Sequence, residues 1–363
     1  FWLDDYALYM ALKNENGGKE WLLWDKELRF RKKDAIKAAK KRLKKEIDFW
    51  KYLQYEFQLQ YEELLKYAHS KKIYIIGDIP LYVALDSSDV WTNPELFDLD
   101  SERRPRHVAG VPPDIFSADG QRWGNPIYNW DKMEEDNFKW WRRRMKKCAD
   151  LYDVIRIDHF IGIVNYWSVP AEEETAINGE WIKGPGKKLT DVIKSAVGDS
   201  KVIAEDLGVI TKPVQKLIDK CKWPGMKILQ FAFDGGCEST YLPQNYKNCN
   251  YIVYGGTHDN DTAIGYLESI PEKQLLYIKE FLGLSPKASM DEVNDAIIRL
   301  GFMSTAHTVI FQVQDLLGLD TSARMNMPST IGTNWQFRMA KKKLPANVVK
   351  KLKKYTKLYN RKA

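Results

Sequence analysis

Short β-branched runs that alternate with helix-like segments constrain the fold of this chain more than any other feature. Six of these runs are candidate strands, at residues 73–76, 154–157, 202–204, 228–233, 251–254 and 308–311. Most of the first five are followed closely by carboxylates, which are Asp78, Asp158, Glu205 with Asp206, Asp234, and Asp259 in the pair His258–Asp259. In parallel α/β proteins the carboxyl ends of the strands carry the site. The pattern therefore predicts an α/β fold with its acidic residues gathered at one site.

The length of 363 residues suits one large α/β barrel or two small domains. We expect a (β/α)8 barrel. Such a barrel has eight strands, so the six candidate strands leave two unaccounted for. The chain also begins at Phe1–Trp2 within an apolar segment of helical period, so we expect that amino-terminal strands are missing from it. Residues 27–69 contain no Gly or Pro and predict one or two long surface helices. The expected organisation is one catalytic barrel domain over residues 1–363, incomplete at the amino terminus, with a helical insertion at about 27–69.

Composition excludes several classes of protein. The chain is 44% apolar and 29% charged, as in ordinary globular proteins, and no apolar stretch approaches the length of a membrane span. The first residues lack the basic-then-apolar pattern of a secretory leader, and the four cysteines have no C-x-x-C spacing. We therefore expect a soluble protein in the reducing cytoplasm, with no membrane partner.

The net charge of +7 arises from local basic runs. They lie at residues 142–144, 341–343 and 350–357, among helix-forming residues. No nucleic-acid-binding motif accompanies these runs. We favour solvated helix surfaces over a nucleic-acid patch, and no nucleic-acid partner is expected.

The segment 154–160, Val-Ile-Arg-Ile-Asp-His-Phe, brings an arginine and an aspartate together. Residues two apart on a strand point to the same face, so Arg156 is expected beside Asp158. A neighbouring guanidinium favours the ionised carboxylate that a nucleophile requires. On the residues alone, a structural Arg–Asp pair at a strand end is an equally good interpretation.

A second segment, 202–208, runs from an apolar strand directly into Glu205 and Asp206. A glutamate desolvated by apolar neighbours can act as general acid and then as general base. Asp206 is expected to cap a helix or accept a hydrogen bond. A Glu–Asp pair at a strand end is weak evidence of catalysis by itself.

The polar segment 255–262, Gly-Gly-Thr-His-Asp-Asn-Asp-Thr, follows another candidate strand. A His–Asp metal pair would need further histidines, but the chain has five His in all and no H-x-x-x-H spacing. Hydrogen bonding to substrate hydroxyls is the better interpretation. In it, Asp259 stabilises charge in the transition state and His258 binds the same substrate ring.

Aromatic residues make up 13% of the chain. The segments 121–126 and 334–338 combine rings with amides and arginine in surroundings typical of loops. Such mixtures suit sugar rings, which have apolar C–H faces beside hydroxyls. For any single tryptophan, a place in the core is the more common role.

Together these motifs resemble the 4-α-glucanotransferases of glycoside hydrolase family 77, the amylomaltases or disproportionating enzymes. The resemblance spans residues 1 to about 340, in the order of the family. The matching segments are 77–83 with 86–91, 108–114 running on to 124–126, 156–160, 203–208, 256–262, and 324–326 with 334–335.

The resemblance implies a (β/α)8 barrel with helical insertions that moves α-1,4-glucan segments between donor and acceptor. It implies Asp158 as nucleophile, Glu205 as general acid/base and Asp259 as the carboxylate that stabilises the transition state. The implied substrate contacts are Asp78, Trp123, Arg156, Asp234, His258 and Asn326. No metal or organic cofactor is implied, and the partners are maltodextrins, amylose, and glucans derived from starch or glycogen.

Two alternatives stay open at this point. An α-glucan hydrolase would use the same carboxylates with water as acceptor, and the sequence does not set the ratio of transfer to hydrolysis. A non-catalytic glucan-binding protein is the other alternative. The presence of all three acids, Asp158, Glu205 and Asp259, argues against it.

Overall fold

The computed structural model of the chain describes residues 1–114, 117–208, 210–328, 330–340 and 343–361. The chain divides into two units. The first unit comprises Phe1–Glu205 and Ile210–Cys221, and the second comprises Asp206–Val209 and Lys222–Ala363. Each unit is described by itself.

The first unit opens with four helices, which agree with the helical patterns of the sequence. They are α1 (Leu3–Glu15), α2 (Lys26–Arg29), α3 (Lys33–Arg42) and α4 (Lys44–Ser70). Helix α1 buries the apolar face that its period predicts, including Ala7, Leu8 and Leu12. Most side chains of the 27-residue helix α4 are exposed or half-buried, and only Ile47 and Ala68 are buried. The prediction of long surface helices over 27–69 is confirmed.

The remaining elements described in the first unit are seven strands and five α-helices. They are β1 (Ile76–Ile79), α5 (Ser88–Thr92), β2 (His107–Val111), β3 (Gln121–Pro126), α6 (Trp130–Glu135), α7 (Lys139–Leu151), β4 (Val154–Ile157), β5 (Asn165–Pro170), β6 (Glu180–Lys183), α8 (Lys187–Val197), β7 (Lys201–Ala204) and α9 (Lys212–Cys221).

Strands β1, β4 and β7 form a parallel sheet in the order β1-β4-β7. Ile155, Ile157, Val202 and Ile203 are almost fully buried, as expected for parallel strands covered on both faces. Two of the three strands coincide with their predicted positions. The predicted run at 73–76 is displaced, because pairing with β4 begins only at Ile76. Asp78 therefore lies inside a strand and not after it.

A second, antiparallel sheet in the first unit has the order β3-β2-β5-β6. The sequence interpretation missed it and placed residues 121–126 in loop-like surroundings. Its strands contain residues that are usually depleted in sheets, such as Gly110, Gly124 and Pro126, and the register between β2 and β3 shifts at Val108 and Gly110. Backbone pairing with distant segments outweighs local propensity here.

The second unit contains a parallel sheet in the order β10-β9-β8, with helices around it. The predicted strand at 228–233 is wrong in its bounds, because residues 229–231 form a 3-10 turn after the strand. A core that includes Leu229, Phe233 and Val253 lies against the helices. The elements are β8 (Gly225–Ile228), β9 (Tyr251–Tyr254), α10 (Ala263–Ser269), α11 (Glu272–Phe281), α12 (Met290–Met303), β10 (Thr308–Ile310), α13 (Val313–Leu317) and α14 (Ala346–Leu358).

Helices carry two of the three basic runs. Residues 142–144 lie on α7, and residues 350–357 lie on α14. In the run 341–343, Lys341 and Lys342 lie outside the described residues. Over the part of the chain that the structure covers, no helix has the length and apolar character needed to cross a membrane.

Asp315 is a buried carboxylate in the second unit and generates a stability prediction. It is 2% exposed, and its Oδ1 accepts a hydrogen bond from the Ala263 N–H at 2.8 Å. Burial raises the pKa of Asp315 to about 6, and Asp261 adds to the effect. The folded state therefore binds the proton more tightly than the unfolded state, so the stability contribution falls as the pH rises from about 4 through about 6.

Asp315→Asn keeps an oxygen for the Ala263 N–H but has no charge to bury. Between pH 4 and pH 8 the variant is expected to gain about 3 kcal/mol of stability relative to the wild-type chain. Urea unfolding of both proteins across this range measures the difference. A difference that stays constant with pH would show that Asp315 does not titrate with a raised pKa.

Candidate functional site

Three neighbouring parallel strands position the acidic residues of the first unit. In their register Asp78 pairs with Arg156, Arg156 pairs with Ile203, and Ile157 pairs with Ala204. Asp158 and Glu205 each come directly after that last pair, at the carboxyl ends of adjacent strands. Because adjacent strands lie about 4.8 Å apart, the register brings these two acids side by side.

Arg156 is the cation of this group, and its side chain is only 7% exposed. Its Nη1 lies 2.6 Å from both carboxylate oxygens of Asp78 and 2.9 Å from Oδ1 of Asp158. Burial lowers the pKa of Arg156, but Asp158, Asp78 and Glu205 together raise it above its usual value. The guanidinium therefore stays charged, and the expected Arg156–Asp158 contact is confirmed.

Asp158 and Glu205 differ in their exposure to solvent. The Asp158 side chain is 41% exposed, whereas Glu205 is 8% exposed. Glu205 Oε2 accepts a hydrogen bond of 2.7 Å from the backbone N–H of His159. An accessible carboxylate beside a buried, fixed carboxyl is an arrangement that can divide nucleophilic and proton-transfer roles.

Aromatic rings enclose His159, which follows Asp158 in the chain. Trp123 on β3 meets the imidazole edge to face at 4.7 Å between ring centroids, and Tyr82 lies at 6.3 Å. Burial lowers the pKa of His159 to about 4. The sequence named Trp123 as a candidate but missed Tyr82 and His159 as its neighbours, although His159 stands within the quoted motif.

In the second unit the predicted polar loop carries a hydrogen-bonded carboxylate. Asn326 Nδ2 donates to Asp259 Oδ1 at 2.6 Å, and Arg324 Nη2 donates to the backbone carbonyl of Asp259 at 2.7 Å. Arg324 Nε also donates to the Asn326 carbonyl, which ties the two segments together. The structure thus joins Asp259 with Asn326, and Arg324 is a partner to which no role was assigned from the sequence.

His258 lies beside Asp259, with Nε2 at 3.4 Å from Oδ2. The ring of Trp335 lies 5.0 Å from the His258 ring, measured between centroids. Trp335 is 60% exposed and adopts a left-handed φ of 63°, which is uncommon for a residue with a side chain. An exposed ring held in this way offers a flat apolar surface, and the sequence signal for it was the cluster 334–338.

Two further acids of the second unit have other partners. The exposed Asp234 accepts a hydrogen bond from Gln274 Nε2 at 2.6 Å. Asp206 accepts from the Met226 N–H at 2.6 Å, which confirms its predicted hydrogen-bonding role. Burial raises the pKa of Asp206, and that backbone hydrogen bond and Lys227 oppose the rise. Among the described residues no group of three or more His, Cys, Asp or Glu is placed to hold a metal ion.

A family model matches most of this chain. The model of glycoside hydrolase family 77, described as 4-alpha-glucanotransferase, matches residues 1–343. Two relatives named 4-alpha-glucanotransferase have similar identities. The one from Clostridium butyricum is 46% identical over 99% of this chain and 74% of its own length. The one from Thermus thermophilus is 45% identical over 93% of this chain and 68% of its own length.

A solved structure agrees with the family match. The amylomaltase from Streptococcus agalactiae in complex with acarbose superposes with a TM-score of 0.95 at 41% sequence identity. The alignment covers all of this chain and 73% of that protein. The α/β fold of the described residues is therefore shared with an amylomaltase.

The contacts of Arg156 predict a large stability effect. Arg156→Met leaves the carboxylates of Asp78 and Asp158 without their shared cation. We expect a loss of about 2 kcal/mol in the free energy of unfolding, since both acids are partly solvated. Adding Asp78→Asn to Arg156→Met is expected to restore part of the loss.

Arg142 provides the matched control, because it is exposed and donates to the Asn137 carbonyl. Arg142→Met is expected to change stability by no more than about 0.5 kcal/mol. Urea unfolding at pH 7 compares the three variants with the wild-type chain. Equal effects of Arg156→Met and Arg142→Met would contradict a structural role for the buried guanidinium.

Proposed function

Because the chain belongs to glycoside hydrolase family 77, the 4-α-glucanotransferases, we propose that it transfers α-1,4-glucan segments between maltodextrins by a retaining double displacement. Its substrates are maltodextrins, amylose, and glucans derived from starch or glycogen. The observation that carries the mechanism is the placement of Asp158 and Glu205 at the ends of adjacent parallel strands, beside one buried arginine.

In the first step Asp158 attacks the anomeric carbon of the donor. A bond forms between its carboxylate oxygen and that carbon, while the glycosidic C–O bond breaks and Glu205 gives its proton to the leaving oxygen. Retention by this route requires carboxyl groups about 5–5.5 Å apart. The spacing of adjacent strands, about 4.8 Å, supports such a separation.

In the second step a sugar hydroxyl of the acceptor replaces the leaving group. Glu205 takes the proton of this hydroxyl, the acceptor oxygen bonds to the anomeric carbon, and Asp158 is released as a carboxylate. Transfer depends on this hydroxyl reaching the intermediate before water does. The strong burial of Glu205 supports its role as a group that alternates between its protonated and ionised forms.

The proposal gives the second unit the task of stabilising positive charge. Asp259 is the carboxylate that stabilises the oxocarbenium-like transition state, while His258 and Asn326 bind sugar hydroxyls. The Asn326–Asp259 hydrogen bond and the His258–Asp259 contact support a common function for the three residues.

The remaining candidates act in substrate binding. We propose that Asp78 and Arg156 contact the reacting sugar and that Trp123 offers a ring face to it. Asp78 and Arg156 are supported by their direct contact with each other and with Asp158. Asp234 is the least supported member, since its carboxylate accepts from Gln274 on α11.

The proposal also includes the finer fold and setting expected from the sequence. It comprises one catalytic (β/α)8 barrel domain over residues 1–363, incomplete at the amino terminus, with a helical insertion at about 27–69. Three parallel strands in each unit support the barrel. A cytoplasmic location is supported by the four cysteines, all of which are free.

The test of the activity is incubation of the full-length protein with maltotriose, with products resolved by chain length. Disproportionation gives glucose and a ladder of longer maltodextrins, because the glucosyl-enzyme intermediate passes to another sugar. Maltose and glucose without longer products at high substrate would mean hydrolysis. No change in the substrate would leave only a binding function and refute the proposal.

Two variants separate the roles of the carboxylates. Asp158→Asn is expected to abolish turnover because no covalent intermediate forms. Glu205→Gln is expected to lose about 10²–10⁴-fold on maltotriose, with partial rescue of an activated donor by azide. The control is Asp191→Asn, on the exposed surface of α8, which should leave the rate unchanged. A normal rate in Asp158→Asn would remove Asp158 as the nucleophile.

A further inference from the structure

The backbone of His159 has an uncommon conformation directly after Asp158. Its φ and ψ are 51° and 46°, in the left-handed region. Residues with side chains rarely adopt this region, although histidine, asparagine and aspartate do so more readily than others. In this conformation the His159 N–H donates to Glu205 Oε2 at 2.7 Å, across 46 residues of sequence.

Two more backbone hydrogen bonds attach Glu205 to the same turn. The Phe160 N–H donates to the Glu205 carbonyl at 3.1 Å, and the Glu205 N–H donates to the Ile157 carbonyl at 3.1 Å. Both the main chain and the side chain of Glu205 are therefore held by residues 157–160. A change of φ at His159 would redirect the N–H that holds the carboxyl while the strand pairing stayed in place.

Packing, and not charge, fixes the imidazole of His159. Trp123 and Tyr82 contact the ring, and a Cβ added at Gly162 would lie 2.8 Å from its Cδ2. With a pKa lowered by burial to about 4, the ring is neutral near pH 7. The ring therefore anchors the turn, and the backbone N–H is the group that reaches Glu205.

We propose that His159 is a positioning residue, whose left-handed backbone aims its N–H at Glu205 and so orients the carboxyl for proton transfer. The inference rests on the acid/base role proposed for Glu205. A carboxyl oxygen accepts an N–H in both the protonated and the ionised state. The orientation therefore persists when Glu205 gives its proton to the leaving oxygen and when it takes one from the acceptor.

The test compares His159→Gly with His159→Val. Both variants lack the imidazole, but glycine adopts the left-handed conformation freely, whereas a β-branched residue does not. Valine is expected to reduce kcat/KM on maltotriose about 10- to 100-fold below the glycine variant, because a small misplacement of a proton donor is costly. His159→Asn, which tolerates the same φ, is expected to group with glycine.

A donor with a better leaving group distinguishes a positioning role from a merely structural one. A structural defect would slow the reaction equally on both donors. Single-turnover release of nitrophenolate from p-nitrophenyl α-maltotrioside needs little protonation. The glycine and valine variants are therefore expected to differ less than about threefold on this donor. In the Glu205→Gln background the valine penalty on maltotriose is expected to disappear, as coupling between the two residues requires.

Equal loss on both donors, or a glycine variant as slow as valine, would overturn the inference. Thermal unfolding checks each variant, and His159→Ala replaces valine, with the same expected order, if valine does not fold. A wild-type protein that fails to extend maltotriose would instead refute the proposed function. An active wild-type protein whose variants lack the expected order refutes only the role of His159.

Discussion

The buried guanidinium of Arg156 is the interaction on which the first half of the site depends. Three acids, Asp78, Asp158 and Glu205, surround this one cation in the interior of a parallel sheet. The desolvation free energy of a buried guanidinium without its partner acids would be prohibitively large. The register of β1 against β4 therefore matters, because it places Asp78 beside Arg156. A slip of one residue between β1 and β4 would put Arg156 and Asp78 on opposite faces of the sheet and separate this cation from one of its acids.

Glu205 depends on the same register through backbone groups. Its own N–H pairs with β4, and the turn after β4 returns two N–H donors to it. A backbone donor cannot rotate away as a side chain can, so the His159 N–H holds the Glu205 carboxyl with little entropic cost. The sheet therefore supplies both the spacing between Asp158 and Glu205 and the orientation of one of them.

Local sequence predicted the elements whose pattern is set by their own residues. Strands β4 and β9 agree in both bounds with β-branched runs, and α1 agrees with its helical period. The antiparallel sheet was missed because its strands contain glycine and proline and are stabilised by pairing with distant segments. The run at 228–233 failed because the strand ends at Ile228 and the chain continues in a 3-10 turn whose first residues, Leu229 and Gln230, are still buried, so apolar character alone did not mark the end of the strand.

In the site, too, contacts between residues close in the sequence could be predicted, whereas contacts between distant residues could not. Arg156 and Asp158 are two residues apart, so strand geometry alone predicts their contact. The Asn326–Asp259 hydrogen bond spans 67 residues, and no spacing rule predicts it. The polar segment 255–262 pointed to Asp259, the resemblance to the family added Asn326, and the structure added their partner Arg324.

The two proposed catalytic aspartates differ in where their arginine binds, and this difference fits the roles assigned to them. Arg156 contacts the carboxylate of Asp158, whereas the guanidinium of Arg324 donates to the backbone carbonyl of Asp259. The guanidinium of Arg156 thus lies directly against the carboxylate proposed as the nucleophile. An arginine on the main chain fixes the loop, and the neutral amide of Asn326 orients the carboxylate without cancelling its charge. In the proposed mechanism, Asp259 is the carboxylate that stabilises the positive anomeric centre of the transition state.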